Sequence, residues 1–383
     1  MTDPLDPFRQ RRQNHEVLDG EMDGTRFTMV LGYEDLREVA SNWHTFSSDA
    51  PFRVPIPSEE NVRTVRQLPI ETNPPQHTAY RALISEPFSW RRSATIRSEV
   101  ERIASELVQS GLDAGSIEIV RSFALPLQSR ALALMLGRPA SEAEEWISWG
   151  THVFRDFEAG AAGHASDLDA YLNRAIDEAM REPGEDFFGM LATTTLEGRN
   201  LTRAEILGFA NLTFAGGRDT VINAVTNAIH HLVTHPADLS RLRDDRSLVP
   251  TAVEEFLRFF SPITHIGRVV EHEATLAGHH VGDDSVVSLC FASANRDATA
   301  FERADECLID RRPNRHVAFG HGPHRCIGAP QAKTVLTAAL DAFVGRVAAA
   351  RVLEARPKVE ELGPVRRQVG FERLLISLSP PTP

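Results

Sequence analysis

The sequence is poor in residues that tie a fold together covalently or hold it in a membrane. It has 3 cysteines in 383 residues: Cys290, Cys307 and Cys326. They form no CxxC and no Cys/His spacing, which excludes a disulfide framework and a zinc module. Cys290 stands in the apolar run Val286 to Phe291 and reads as a small core residue, as does Cys307. Long apolar runs are missing too. The N-terminal stretch MTDPLDPFRQRRQNHEVLDG has nothing like a signal peptide or a spanning segment, so a cytoplasmic protein with no membrane contact is expected. Positive charge is in short supply: 41 Lys and Arg against 53 Asp and Glu give a net charge of −12, with no basic block, which opposes nucleic-acid binding. A chain with 42% hydrophobic and 25% charged residues is ordinary for a globular protein and excludes disorder, collagen and coiled coil. No repeat or internal boundary is visible, and residues 1–383 read as a single domain.

What is present is concentrated in a few stretches. Val317-Ala-Phe-Gly-His-Gly-Pro-His-Arg-Cys-Ile-Gly-Ala-Pro330 sets Cys326 among Gly320, Gly322 and Gly328, a loop built for close backbone approach. Apolar residues at Ala332, Val335, Leu336, Ala339, Leu340 and Phe343 predict a helix from Ala329 to Val347. A cysteine just ahead of that helix would be stabilised as a thiolate. Buried and facing a glycine-lined, planar-shaped gap, such a thiolate suggests an iron ligand, the alternative being an inert buried thiol.

A second stretch opens on Thr202-Arg-Ala-Glu205, a capping box, and keeps a helical period to His235-Pro236, a helix of roughly 50 Å. Its middle, Phe214-Ala-Gly-Gly-Arg-Asp-Thr-Val221, carries two glycines at about 1 kcal/mol each against alanine, a local conflict that marks a functional site. The glycines thin the helix beside a flat cofactor or a small ligand, or else serve a helix contact. Asp219 and Thr220 then offer an acid and a hydroxyl, a proton-delivery pair. In Thr251 to Pro262 a helix puts Glu255 and Arg258 three apart within an apolar setting. After Pro74-Pro75, a helix puts His77 and Arg81 on one face. Residues 98–137 and 141–181 predict further amphipathic helices, and 270–290 short strands with turns at Gly278 and Gly282. Glu158 to His164 is small and flexible, suited to a mobile connection between helices over a pocket or to a plain surface loop. Taken together the chain is mainly α with a small β region. His265 alternates outward on its strand and is expected to be exposed. Arg53, Arg63 and Arg66, in the long loop from Phe46 to Pro75, read as solvated charges, with an acidic substrate as the alternative.

FGHGPHRCIG, with Phe319, Gly322, His324, Cys326 and Gly328 in register, resembles the haem-binding loop of the cytochrome P-450 family. The resemblance runs from about Tyr33 to Phe371, and GGRDTV is especially similar to camphor-type bacterial members. It implies a cytochrome P-450 fold, with haem b between the long central helix and the cysteine-loop helix. It makes Cys326 the axial iron ligand and Gly216 and Phe319 haem contacts. His77, Arg81, Arg268 and His324 become partners of the propionates. Thr220 and Asp219 become the oxygen-activating, proton-relaying pair. Glu255 and Arg258 become a buried network that Arg311 completes, although Glu306-Cys307 stands where relatives commonly show Arg-Phe. Gln331 and Lys333 also depart from the common Leu and Arg. By position, Asn211, Phe214, Ala215, Thr264, Ile266 and Phe371 are candidates for a substrate pocket.

The activity implied is that of a soluble bacterial-type monooxygenase. It would use O2 and two electrons to hydroxylate or dealkylate a small organic substrate. With no flavin or nicotinamide fingerprint in the chain, the electrons would come from a separate ferredoxin or flavodoxin and its reductase. A peroxide-driven peroxygenase and a non-catalytic haem sensor or carrier are the alternatives, and the Asp219-Thr220 pair argues against both.

Overall fold

The computed structural model describes residues 3–59, 63, 65–151 and 164–380. Its backbone forms two compact units, each assembled from distant parts of the chain. One comprises Met1–Thr78, Ser247–Cys326 and Arg356–Glu372, and the other Ala79–Arg246, Ile327–Ala355 and Arg373–Pro383.

The first unit holds a five-stranded sheet. Thr25–Val30 pairs antiparallel with Leu18–Met22 and parallel with Val286–Cys290. Val286–Cys290 pairs antiparallel with His265–Val270, whose far edge takes the short strand Phe46–Ser47. Val287, Ser288, Leu289 and Cys290 are all buried, as in a strand covered on both faces. One apolar cluster gathers Leu18, Phe27, Met29 and Cys290 with Phe8, Ile56 and Leu362. A second gathers Val30, Val287 and Leu289 with Leu36, Phe46, Phe301 and Val317. Burial pushes the Cys290 thiol up to about 12, which keeps it a neutral core residue as its setting predicts. Cys307 is half-buried. Tyr33–Ser41 is the helix that its period predicts.

The second unit is helical. Trp90–Ala114 starts at Ser89, whose hydroxyl accepts from the Arg92 N–H, and stops at Gly115 in the left-handed conformation (φ 73°). It packs most extensively on Ala329–Arg346. Leu125–Leu136, Ala140–Ser148, His164–Arg181, Phe187–Thr193, Arg203–Gly217, Asp219–Thr234 and Pro236–Asp244 complete the described helices. Trp146 anchors an aromatic core, edge-on to Tyr171 at 5.6 Å and to Phe214 at 4.9 Å.

Two parts differ from the sequence reading. Within residues 98–137, Gly115 ends the helix, and Ser116–Glu118 forms a strand antiparallel to Ser377, Ile376 and Leu375 before helix resumes. At the C-terminus, Ala349–Leu362 and Val365–Ser379 are two long neighbouring strands that no period announced, because polar residues and Pro357 interrupt the alternation. The connection from Glu158 toward His164 lies outside the described residues apart from the helix start at His164. Among the described residues no helix is long and apolar enough to cross a membrane.

Candidate active site

In the first unit, the cysteine loop is shaped by Gly320 and Gly322, with φ of 72° and 69°. A Cβ on Gly322 would stand 2.5 Å from the Ala40 carbonyl oxygen, so no side chain fits there. The Cys326 N–H closes the loop by donating to the Phe319 carbonyl at 2.7 Å. The expectation of a buried thiol is corrected, since Cys326 is exposed. The tight turn carries it to the surface of the loop, where an external group can reach it. Among the described residues no group of three His, Cys, Asp or Glu side chains could hold a metal.

His77 is buried (2% exposed), and its ring lies 4.1 Å from that of His324, tilted by 50°. Four residues along the helix Gln76–Leu83, Arg81 is half-buried. Arg268 is buried, with one hydrogen bond among the described residues, from Nη1 to the Gly267 carbonyl at 2.6 Å. Burial lowers its pKa to about 10 with no carboxylate opposing the effect. With no counter-ion among the described residues, this buried guanidinium is costly and fits an added anionic partner.

The Glu255 network is complete. Glu255 and Arg258 are both fully buried on the helix Val249–Phe260. Arg258 Nε and Nη2 donate to the two Glu255 oxygens at 2.8 Å each. Arg311 Nε donates to the same two oxygens at 3.0 Å each. The Leu308 N–H and Asn314 Nδ2 add 2.7 and 3.1 Å bonds. Glu306 enters only through its carbonyl, which accepts from Arg258 and Arg311, so its side chain is free to depart from the family pattern.

His265, expected outward, is half-buried with Nδ1 at 3.0 Å from Ser288 Oγ, because its strand lies inside the sheet. Thr264 is buried; its hydroxyl donates to Glu360 at 2.6 Å and accepts from Arg367 at 2.7 Å. Ile266 packs on the second apolar cluster, and Phe371 is buried. The loop arginines are ion-paired and not simply solvated: Arg53 with Asp284, Arg63 with Glu59 and Glu71, Arg66 with Asp49.

In the second unit, the helix expected from Thr202 to His235 is two helices, broken at Arg218 (φ −110°, ψ −75°). The capping box at Thr202 and Glu205 is present, and Arg199 holds the Glu205 carboxyl well below the usual range. In an unbroken helix the Gly216 and Gly217 carbonyls would accept from Thr220 and Val221 N–H. Here side chains take them: Thr220 Oγ1 donates to Gly216 O at 3.0 Å and Gln128 Nε2 donates to Gly217 O. Among the described residues, a Cβ at Gly216 would meet nothing within 4 Å, and one at Gly217 would meet Leu132 Cδ1 at 3.8 Å. Asp219, Thr220 and Ala215 are half-buried, while Asn211 and Phe214 are buried.

Arg218 escaped the sequence reading. It is 3% exposed, and its Nη2 donates to the Trp146 and Gly150 carbonyls at 2.5 Å each. Burial lowers its pKa to about 10, against the pull of Asp219.

A thiol-bearing glycine loop, a buried glutamate with two arginines, and a helix broken at Gly-Gly-Arg-Asp-Thr are the features on which the resemblance to the cytochrome P-450 family rests. The cytochrome P450 family model matches residues 164–347. The chain is 32% identical to the cytochrome P450 monooxygenase PikC of Streptomyces venezuelae, over 90% of this chain and 84% of that protein. It is also 32% identical to the vitamin D3 dihydroxylase of Streptomyces griseolus, over 86% of this chain and 82% of that one. A solved structure of a carbohydrate active P450 superposes with a TM-score of 0.93 at 42% identity, covering 98% of each chain. The chain belongs to the cytochrome P450 family. It is a haem-dependent monooxygenase that uses O2 on a small organic substrate.

Proposed function

We propose that this monooxygenase hydroxylates, or dealkylates at an ether, a carbohydrate substrate. The observation that carries the substrate class is the 42% identity, end to end, with a carbohydrate active P450, against 32% with the relative named for vitamin D3. The whole chain works as one catalytic domain in the cytoplasm, and a separate ferredoxin or flavodoxin with its reductase supplies the electrons.

The residues fit haem b. Cys326 would hold its iron through the thiolate. Arg268, His77, His324 and Arg81 would donate to its carboxylates, and Phe319 and Gly216 would be apolar contacts. The buried charge of Arg268 and the exposed thiol of the loop are what support this reading. Bound haem, with electron donation from the thiolate, supplies O2 activation and oxygen transfer to a C–H bond.

The chain's own residues manage the protons. Asp219 is a carboxylate at the start of a helix and takes a proton from water for transfer inward. Thr220 already spends its hydroxyl proton on Gly216 O, so its oxygen is left as an acceptor that holds an incoming proton in place. Thr220→Ala should lower product formed per NADH consumed by roughly tenfold, with the missing electrons recovered as hydrogen peroxide. Unchanged coupling would remove Thr220 from this role.

The substrate class is tested by titrating the ferric enzyme with a panel of neutral, acidic and O-alkylated sugars. Vitamin D3 and testosterone controls are run in parallel. A saturable spin-state shift with a sugar, followed by oxygenated product, is the expected result. A shift with the controls alone overturns the carbohydrate assignment.

A further inference from the structure

We propose that Arg218 is a positioning residue for Asp219 and Thr220: its grip on the end of the helix Ala140–Ser148 holds open the helix break from which that pair starts. The inference rests on the reading of Asp219 and Thr220 as the proton-delivery pair.

A break of this kind needs restraint. Arg203–Gly217 and Asp219–Thr234 are each long enough to propagate, and arginine itself is a good helix former, so the default for the joint is a continuous helix. Local restraints oppose that default. Gln128, from the helix Leu125–Leu136, donates to the Gly217 carbonyl and holds it away from the helical run. Arg218 acts on the backbone beside it. Its φ of −110° departs from helix, and its side chain leaves the joint for the carbonyls of Trp146 and Gly150. These carbonyls belong to the last turn of Ala140–Ser148 and to the residues just beyond it, where acceptors lack intrahelical donors and a cation is favoured by the helix dipole. The guanidinium also lies over the Trp149 ring, with Cζ 5.9 Å from its centroid.

The arrangement is costly if it does nothing else. Among the described residues Arg218 is buried without an ion pair, and its Nε and Nη1 have no hydrogen-bond partner. A leucine would fill the same space without that cost, so the charge is explained by what it holds.

The test compares Arg218→Leu, which keeps bulk and loses charge and donors, with Arg218→Lys, which keeps the charge. Two readouts are taken on the haem-loaded enzyme: amide hydrogen exchange of residues 214–222, and product per NADH. In Arg218→Leu, exchange should slow by about tenfold as the joint closes into helix. Coupling should fall by about threefold or more with the substrate titration unchanged, and Arg218→Lys should restore most of both. A leucine variant with wild-type exchange and coupling, differing only in melting temperature, overturns the proposal. Should that variant not fold, Arg218→Gln decides on the same two readouts. Asp219→Asn and Thr220→Ala run alongside. If those two leave coupling intact, the proton-delivery reading itself fails, and the grip of Arg218 on the joint is judged by exchange alone.

Discussion

Cys326→Ser is expected to abolish the red-shifted Soret band of the reduced, CO-bound protein and to reduce monooxygenase turnover by about 10³-fold or more. The loop itself should survive, because Cys326 closes it through its backbone N–H to Phe319 O and not through sulfur. Gly320 and Gly322, which set the turn, are untouched. The change therefore separates ligation from folding. Cys290→Ser is the control. That thiol is fully buried and neutral, so serine there should lower stability and leave the spectrum alone. A Cys326→Ser protein that kept the thiolate spectrum would show that the iron is held elsewhere.

The second large effect is expected at Arg258. Its guanidinium donates to both Glu255 oxygens and to the carbonyls of Asn295, Ala304 and Glu306, all at 2.7 to 2.9 Å. Arg258→Ala removes a donor from each of those carbonyls inside the first unit and leaves Glu255 with Arg311 as its one buried cationic partner, beside the Leu308 N–H and Asn314 Nδ2. Breaking a buried pair in this way costs about 3–5 kcal/mol, a large part of a total stability of about 5–15 kcal/mol. Thermal unfolding should begin roughly 5 °C lower, with most of the haem lost on purification. Calorimetry and the ratio of haem to protein absorbance check both. A fully loaded variant of unchanged melting temperature would sink the assignment.

Local chemistry was legible in the sequence wherever it sat within a few residues. The capping box at Thr202, the helix carrying Glu255 and Arg258, and the glycine loop around Cys326 are all set by short spacings. What stayed hidden depends on partners far along the chain. Arg12 pairs with Asp6 and reaches Ser293 Oγ, 281 residues away, which no local pattern can show. The strand Ala349–Leu362 is mostly exposed and interrupted, so its identity comes from its neighbour Val365–Ser379. The helix break is an intermediate case. Gly216 and Gly217 announced a disturbance, but where the helix stops depends on Gln128 and on the carbonyls that Arg218 reaches. One sign was on view: an arginine set between a glycine pair and an acid in an otherwise apolar helix.

The parallel pairing of Thr28 with Val287 also bears on how the molecule is made. During synthesis at about 5–20 residues per second, Thr25–Val30 leaves the ribosome roughly 13–50 s before its parallel neighbour exists. For that interval only Leu18–Met22 can cover it, and its other edge must wait in the cell as an open strand. The helices between Ala79 and Arg246 emerge in the meantime and draw on contacts closer in sequence. The sheet that carries Arg268 is thus completed late, after most of the helical unit has been translated.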